Sequence, residues 1–546
     1  MPTDVRILDC TLRDGGRMFN LEYDDAEIRD IARRLSEAKV DIVEIGFLRD
    51  CRKLTWKGNS TFFTRASQIT SYIDKSDGKT MYVAFIDFGM FDFESLEDCD
   101  GSSIDGIRFG FTKKDYVAAP DEIRRDAQII LSKGYKLFIQ GVNSLNYTDS
   151  ELLGLIDFVN EIHPYSFGIV DTYGAMYIDD VDRIYALVDN NMDDYICIDF
   201  HSHNNYQLSF SLAQEVIKLG KMSDRKIIID STLNGMGKVA GNLNTELIVN
   251  YLSNKLHRDY EFDEILDIID DYIYPYAMKY HWGYSIPAMM AGIYKSHPNN
   301  IIYLQERFQL QSRDIRMLIS AIDPEKSQRY DYDNIDRIYS EYMTVKAEDR
   351  QTIEKLRTIF YGKPVLVLAP GNTIIGHEKE IDEYIEEKNP VIVSVNFITK
   401  YSLDSRLKRN TYLFFGSRRR YREMKQQIIP EKTIVTSNVP TGDIDNEFVV
   451  DYSSLIDRQY KFYENSTMML LRLLKKLEAS DIALAGFDGF DAAKEDNYAG
   501  KIFQNDRHIE EFDEMTKEVT KMLKELRKSL SGKAEIHFVT PSLYEK

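Results

Sequence analysis

The sequence predicts an α/β protein: an N-terminal (β/α)8 TIM barrel, a helical connecting segment, and a C-terminal doubly wound, Rossmann-like α/β domain. Three observations predict it. Eight short β-rich runs alternate with amphipathic stretches through the first 300 residues. A highly charged helical pattern follows from about Tyr303 to Arg357, and a fresh strand–helix alternation opens at Pro364. Strands alternating with helices imply parallel sheets, and eight repeats over about 250 residues match a closed barrel. The expected boundaries are 1–300 for the barrel, 301–355 for the helical extension and 356–546 for the second α/β domain; 546 residues are too many for one ordinary core.

The barrel strands are expected at Val5–Leu8, Ile42–Phe47, Met81–Ile86, Gly106–Phe109, Lys136–Gln140, Ser166–Val170, Tyr195–Phe200 and Lys226–Asp230. Amphipathic stretches such as Asp25–Ala38, Asp121–Lys133 and Asp179–Val188 lie between them, each opening on an Asp suited to capping free amides. Arg307–Ile322, Asp333–Tyr342 and Glu348–Tyr361 read as three helices, the last stopped by Gly362 and Pro364. Such helices suit either a cover for the barrel mouth or subunit contacts, so a homo-oligomer is one arrangement they permit. In the C-terminal domain, strands are expected at Val365–Pro370, Pro390–Asn396, Thr411–Phe415, Thr433–Thr436, Phe448–Val450, Asp481–Ala485 and Glu535–Val539. Helices are expected near His377–Glu387 and at Thr467–Leu477 and Ile509–Leu530.

Composition excludes several classes. A hydrophobic fraction of 43% and an aromatic fraction of 12% are globular values. No apolar run is long enough to span a membrane, and no basic segment followed by an apolar stretch marks a signal peptide. The net charge of −20 argues against nucleic acid as a partner. Cys10, Cys51, Cys99 and Cys197 show no C-x-x-C spacing and fit a reducing compartment, so a cytoplasmic location is expected.

The chemistry-bearing residues fall at strand ends. Asp14 follows the first strand in Leu8-Asp9-Cys10-Thr11-Leu12-Arg13-Asp14-Gly15-Gly16, and His201 and His203 close the seventh in Asp199-Phe200-His201-Ser202-His203-Asn204-Asn205. Residues i and i+2 of a strand point the same way, so both imidazoles can reach one point. One carboxylate and two imidazoles form a facial metal set with positions left open for substrate. Glu44 lies on strand two, Asp171-Thr172 follows strand six and Ser231–Asn242 follows strand eight, all toward the active face of such barrels.

Four motifs, Thr11-Leu12-Arg13-Asp14-Gly15, Val43-Glu44-Ile45-Gly46, His201-Ser202-His203-Asn204-Asn205 and Gly235-Met236-Gly237-Lys238-Val239-Ala240-Gly241-Asn242, resemble the metallolyase superfamily. That superfamily includes hydroxymethylglutaryl-CoA lyase, 4-hydroxy-2-oxovalerate aldolase and isopropylmalate synthase; the glycine loop is closer to the aldolases. The resemblance implies that Asp14, His201 and His203 hold Mn2+ or Mg2+, with Asn242 completing the site. It implies that Arg13 stabilises an enolate oxygen and that Glu44 positions Arg13. A 2-oxo acid can chelate such a cation through carboxylate and keto oxygens, and an arginine aimed at the keto oxygen adds roughly 3–4 kcal/mol in comparable oxyanion sites.

The departures are specific. Arg17 stands where the aldolase branch carries a histidine, and the glycine loop lacks the thiol of the CoA-lyase branch, so the resemblance leaves the proton-transfer group unassigned. Tyr284, in His281-Trp282-Gly283-Tyr284, lies roughly where the aldolases place a tyrosine; a core tyrosine is the alternative. Asn242 could instead cap a helix at Leu243–Leu252, Arg17 could be a solvated loop residue, and Cys10 and Cys197 are most simply small core residues.

The first functional expectation is a metal-dependent aldolase or lyase acting next to a 2-oxo acid, pyruvate being the simplest, with an aldehyde as the other partner. A Claisen-type condensation with an acyl thioester and a non-catalytic metal- or ligand-binding protein are the alternatives. In the C-terminal domain, Ala369-Pro370-Gly371-Asn372, Ser394-Val395-Asn396 and Ala485-Gly486-Phe487-Asp488-Gly489 resemble bacterial sialyltransferase-like domains and motility accessory factors. That resemblance implies a nucleotide or nucleotide-sugar site near Gly371, Asn372 and Asn396. Gly371-Asn372-Thr373 before a helix could offer amides to a phosphate, and Arg418-Arg419-Arg420 could add contacts; an assembly domain is the alternative.

Overall fold

The computed structural model describes residues 4–545 apart from 57, 77, 309, 311, 328–330, 344–346, 442–443, 445, 447, 492, 494–496 and 500–510. It divides into two compact units, Met1–Ile302 with Ile322–Asp331, and Tyr303–Ala321 with Tyr332–Lys546. Among the described residues no helix is long and apolar enough to cross a membrane.

The first unit is a closed parallel barrel. Its strands are β1 (Val5–Asp9), β2 (Ile42–Leu48), β3 (Phe62–Phe63), β4 (Met81–Asp87), β5 (Gly106–Thr112), β6 (Lys136–Val142), β7 (Ser166–Asp171), β8 (Cys197–Ser202) and β9 (Ile227–Ser231). They run in the order β1-β9-β8-β7-β6-β5-β4-β2, and β1 returns to β2 with Leu8 opposite Ile42, which closes the ring. β3 is an unanticipated two-residue addition on the end of β2, with Phe47 opposite Phe62; two residues are too few to show a period. Strands buried on both faces suit this closure, and all seven residues of β2 are buried.

The helices between strands form where expected, but their caps fall earlier. Asp24, not Asp25, accepts from the first turn, in a reciprocal box with Glu27. Asp25, Asp121 and Asp179 sit inside the first turns of the helices Asp25–Glu37, Pro120–Ser132 and Ile178–Asn191, where a carboxylate still favours the positive end of the helix dipole.

The second unit carries a parallel sheet of β10 (Pro364–Leu368), β11 (Val391–Val395), β12 (Thr411–Phe415), β13 (Thr433–Thr436), β14 (Phe448–Val450), β15 (Asp481–Ala485) and β16 (Glu535–Phe538), in the order β14-β13-β12-β11-β10-β15-β16. The order reverses at β10, the switch point of a doubly wound sheet. The stretch read as one helix at Arg307–Ile322 is two, Pro298–Phe308 and Ser312–Ser320, with Leu310 non-helical between them. The expected helix Ile509–Leu530 is described from Phe512; Ile509 and Glu510 lie outside the described residues.

Candidate active site

Two-residue alternation stacks the barrel interior in layers. Leu8, Ile42, Val83, Phe138, Cys197 and Ile228 form an apolar plug, joined by Cys10. Two residues further along their strands stand Glu44, Gln140, Asp199 and Asp230, with Arg108 from β5, all buried. The Arg108 guanidinium binds Glu44 Oε2 at 3.2 Å and Asp199 Oδ2 at 3.0 Å, and donates a short hydrogen bond to Asp230 Oδ2. Burial works against its charge, but the carboxylates, Asp230 and Glu44 foremost, hold its pKa above the ordinary value. Asp199, which also accepts from Gln140 Nε2 at 2.6 Å, is pushed up to about 7 by burial and by neighbouring Asp230.

The next layer is the site. His201 Nδ1 lies 2.8 Å from Asp230 Oδ2, and His203 Nδ1 lies 3.2 Å from the Asp171 carbonyl. Nδ1–H donation in both leaves each Nε2 lone pair for a metal. His203 Nε2 is 3.4 Å from Asp14 Oδ2. Ligand atoms of Asp14, His201 and His203 all lie within 4.8 Å of one another. Burial, and next the neighbouring His203, push His201 down to about 3, so its imidazole is neutral, as a ligand must be. Burial acts to raise Asp14, yet Arg13 and the imidazoles hold it well below the usual carboxylate range.

Arg13 connects the two layers. Its Nε donates to Glu44 Oε2 at 2.6 Å and one terminal nitrogen to Asp14 Oδ1 at 2.5 Å. The loop bearing it is fixed from below: Asp9 accepts from Thr11 N at 2.9 Å and from Thr245 Oγ1 at 2.6 Å, and Leu233 N donates to Thr11 Oγ1 at 2.8 Å.

Asn242 does not cap a helix; Asn244 holds that position before Thr245–Leu256. The Asn242 amide nitrogen instead reaches Asp14 Oδ2 and the Met236 carbonyl, each at 3.0 Å, while residues 203 and 242 form an antiparallel bridge. Its Oδ1 is buried with no hydrogen-bond partner, an unsatisfied acceptor that a cation would satisfy. The glycine loop makes this approach through Gly241, whose φ of +76° and 1.9 Å clearance from the Gly235 carbonyl exclude a side chain. The donor set of one carboxylate, two neutral-capable imidazoles and an orphaned amide oxygen therefore fits a divalent cation.

Tyr284 does not join this cluster. It is 56% exposed, and its hydroxyl lies 3.9 Å from Met289 Sδ. Its segment is docked on the glycine loop through Trp282 Nε1 to the Asn234 carbonyl at 2.9 Å and Gly283 N to the Val239 carbonyl at 3.0 Å. Arg17 is not a free loop residue: its Nε is 3.7 Å from Asp14 Oδ1. The partners Arg108 and Asp230 were not singled out in the sequence. A lone charge inside Gly106-Ile107-Arg108-Phe109 is the signal that marks Arg108.

A parallel barrel with an imidazole–imidazole–carboxylate set at its strand ends, beside an arginine held by a buried acid, defines a divalent-metal carbon–carbon lyase. Residues 113–271 match the family model described as HMGL-like, a span that includes His201, His203 and Asn242. Over that span the barrel is similar to HMGL-like domains. It is similar to 4-hydroxy-2-oxovalerate aldolase of Moorella thermoacetica, 23% identical over 344 residues, covering 57% of this chain and 89% of that protein. It is also similar to oxaloacetate decarboxylase of Mycobacterium tuberculosis, 25% identical over 267 residues, covering 48% and 74%. Among solved structures, hydroxymethylglutaryl-CoA lyase from Pseudomonas aeruginosa matches with a TM-score of 0.40 at 14% identity, over 50% of this chain and 92% of that one.

In the second unit, a cavity of about 280 Å3 lies at the carboxyl ends of the strands, lined among others by Gly371, Asn396, Arg418, Asn438 and Asp488. Gly371 precedes only a single 3-10 turn, Asn372–Ile374, and the α-helix begins at Glu378. Gly371 N donates to the Gly486 carbonyl at 2.8 Å and Thr373 N to Asp488 Oδ2 at 2.8 Å, so neither amide is open to a phosphate. Asn396 Oδ1 accepts from Gly416 N at 3.2 Å. Asn372 is not among the residues lining the cavity.

Proposed function

We propose that the barrel makes or breaks the carbon–carbon bond next to the keto group of a 2-oxo acid, pyruvate being the simplest, with Mn2+ or Mg2+ held by Asp14, His201, His203 and Asn242. The relatives' names support the substrate class. The observation that carries the reading is the placement of Arg13. Its guanidinium is clamped by Glu44 and Asp14 at 2.6 and 2.5 Å beside the donor set, so its orientation is fixed before charge develops. A bound divalent cation supplies Lewis-acid polarisation of the keto oxygen. Arg13 directs hydrogen bonds to the same oxygen as it gains charge, preorganised and away from water. Glu44 holds the guanidinium plane, and the Arg108 network holds Glu44. Tyr284, exposed and outside the cluster, leaves the proton-transfer group unassigned. Exchange of pyruvate C3 protons with deuterated solvent, with Mn2+ or Mg2+ supplied, tests the reading. Exchange is expected; metal-loaded protein that leaves pyruvate unlabelled would sink it.

For the second unit we propose a nucleotide or nucleotide-sugar ligand, supported by the cavity at the switch point of the sheet. Asn396 and Arg418 border it, and Gly371 allows close approach of the backbone. Titration of the full chain with common nucleotides and nucleotide-sugars tests this; no binding at millimolar ligand favours an assembly role.

A further inference from the structure

The mouth of the barrel gathers three arginines around one aromatic ring. The guanidinium carbons of Arg13, Arg17 and Arg49 lie 5.8, 5.1 and 4.1 Å from the centroid of one ring, that of Phe47. Phe62 and Phe85 extend that aromatic floor, each with its ring centre 5.6 Å from that of Phe47. Three cations gathered on one ring repel one another, and aromatic faces return only a fraction of that cost. Two of the three are held by carboxylates: Arg13 by Glu44 and Asp14, and Arg49 by Asp87 at 2.6 Å. Arg17 is not. Its nearest carboxylate oxygen, Asp14 Oδ1 at 3.7 Å, already accepts from Arg13. Lys238 is half-buried on the glycine loop, where its carbonyl accepts from Gly241 N at 3.0 Å, and its ammonium has no hydrogen bond or ion pair among the described residues. The glycine loop meets the loop bearing Arg17 where the Met236 side chain packs on Gly15 and Asn242 reaches Asp14; burial, and next Arg17, lower the Lys238 pKa.

Arg13 and Arg49 already give N–H groups to Glu44, Asp14, Asp87 and the Leu48 carbonyl, so Arg17 offers the freer guanidinium edge, the geometry that takes a carboxylate or phosphate bidentately. The patch also adjoins the proposed chemistry, with Arg17 Nε 3.7 Å from Asp14 Oδ1. With pyruvate as the 2-oxo acid, the cation would take its carboxylate and keto oxygens and Arg13 the keto oxygen, so a further anion on the acceptor needs partners of its own.

We propose that Arg17 and Lys238, with Arg49 beside them, form an anion subsite that recognises a second anionic group, a phosphate or a carboxylate, on the aldehyde partner. This rests on the 2-oxo acid reading above. In the condensing direction, pyruvate C3 loses a proton, the resulting carbanion bonds to the aldehyde carbon, and the aldehyde oxygen takes up a proton. The product is a 4-hydroxy-2-oxo acid bearing the anionic group at its far end; cleavage is the reverse.

The test compares matched acceptors with pyruvate as donor: glyceraldehyde 3-phosphate against glyceraldehyde, and succinic semialdehyde against butanal. A charged acceptor should exceed its neutral match in kcat/KM by at least a hundredfold, and the pair showing the preference identifies phosphate or carboxylate. In Arg17→Gln and Lys238→Met that preference should fall at least tenfold, mainly through KM. The wild-type comparison needs no variant to fold. Equal kcat/KM within both pairs, or turnover of neither charged acceptor, overturns the subsite while pyruvate still exchanges its C3 protons. Absence of exchange overturns the 2-oxo acid reading and the subsite with it.

Discussion

His201 and Asp230 are joined through Nδ1 and Oδ2 at 2.8 Å, on neighbouring strands at the boundary between the charged layer and the donor set. The carboxylate fixes the tautomer and turns Nε2 toward Asp14. It also spends the same oxygen on Arg108, so the ring orientation of a metal-binding histidine is set by the barrel interior. Asp230→Asn keeps the shape and removes the charge. The expected result is a roughly 10–100-fold weaker affinity for Mn2+, measured by titration of metal-free protein, with the donor residues intact. Unchanged affinity would deny Asp230 this role.

Replacing both imidazoles removes two of the proposed ligands together. His201→Ala with His203→Ala should abolish stoichiometric metal binding while far-UV circular dichroism stays that of the barrel. Full metal content in that double variant, read by elemental analysis, would show that the ion is held elsewhere.

Arg13→Lys preserves charge and loses the planar fork that reaches Glu44 and Asp14 together. An interaction made as charge develops appears in kcat. A fall of about 10²–10³ in kcat is expected, by comparison with loss of one oxyanion donor, with KM for the 2-oxo acid changing far less. Near-normal kcat would reduce Arg13 to a structural ion pair.

Asp199 gives a pH-dependent expectation. Its carboxyl is raised from 3.8 to about 7, by burial first and Asp230 next. A folded pKa above the unfolded one means the folded chain binds the extra proton. That contribution is complete below about pH 3.8 and is lost as pH rises through about 7. Asp199→Asn resembles the protonated form at every pH. Relative to wild type it should therefore gain stability steadily between those limits, in urea unfolding series at stepped pH. A constant difference across that window would mean that Asp199 does not titrate there.

Much of this was legible in the linear chain because two periodicities are. Alternation places His201 and His203 together and sets the layers in which Cys197, Asp199 and His201 follow one another along one strand. The barrel count followed from the eight apolar runs. Partner choice was not legible. That Asp230 meets His201 depends on β9 lying beside β8, with Asp199 opposite Ile228, a register that exists only once the ring has closed. The same holds for Arg17: its neighbour Phe47 comes from β2, and a loop residue such as Arg17 shows no period. In the second unit, strands at Thr411–Phe415 and Asp481–Ala485 were clear, but the amides of Gly371 and Thr373 looked open because the carbonyl and carboxylate that occupy them lie more than a hundred residues away.

Arg108 constrains how this barrel can change over generations. Three acids from three strands depend on one guanidinium that is fully enclosed. Losing it strands buried carboxylates, a penalty of about 3–5 kcal/mol for a broken buried pair, a large part of a domain's whole stability. Substitutions at the rim, at Arg17 or Lys238, disturb no such ring. Descendants of this chain are therefore expected to alter their choice of acceptor readily and to give up the charged layer last. A copy that had lost its chemistry altogether would still carry Glu44, Arg108, Asp199 and Asp230, as ballast that the fold could not shed one piece at a time.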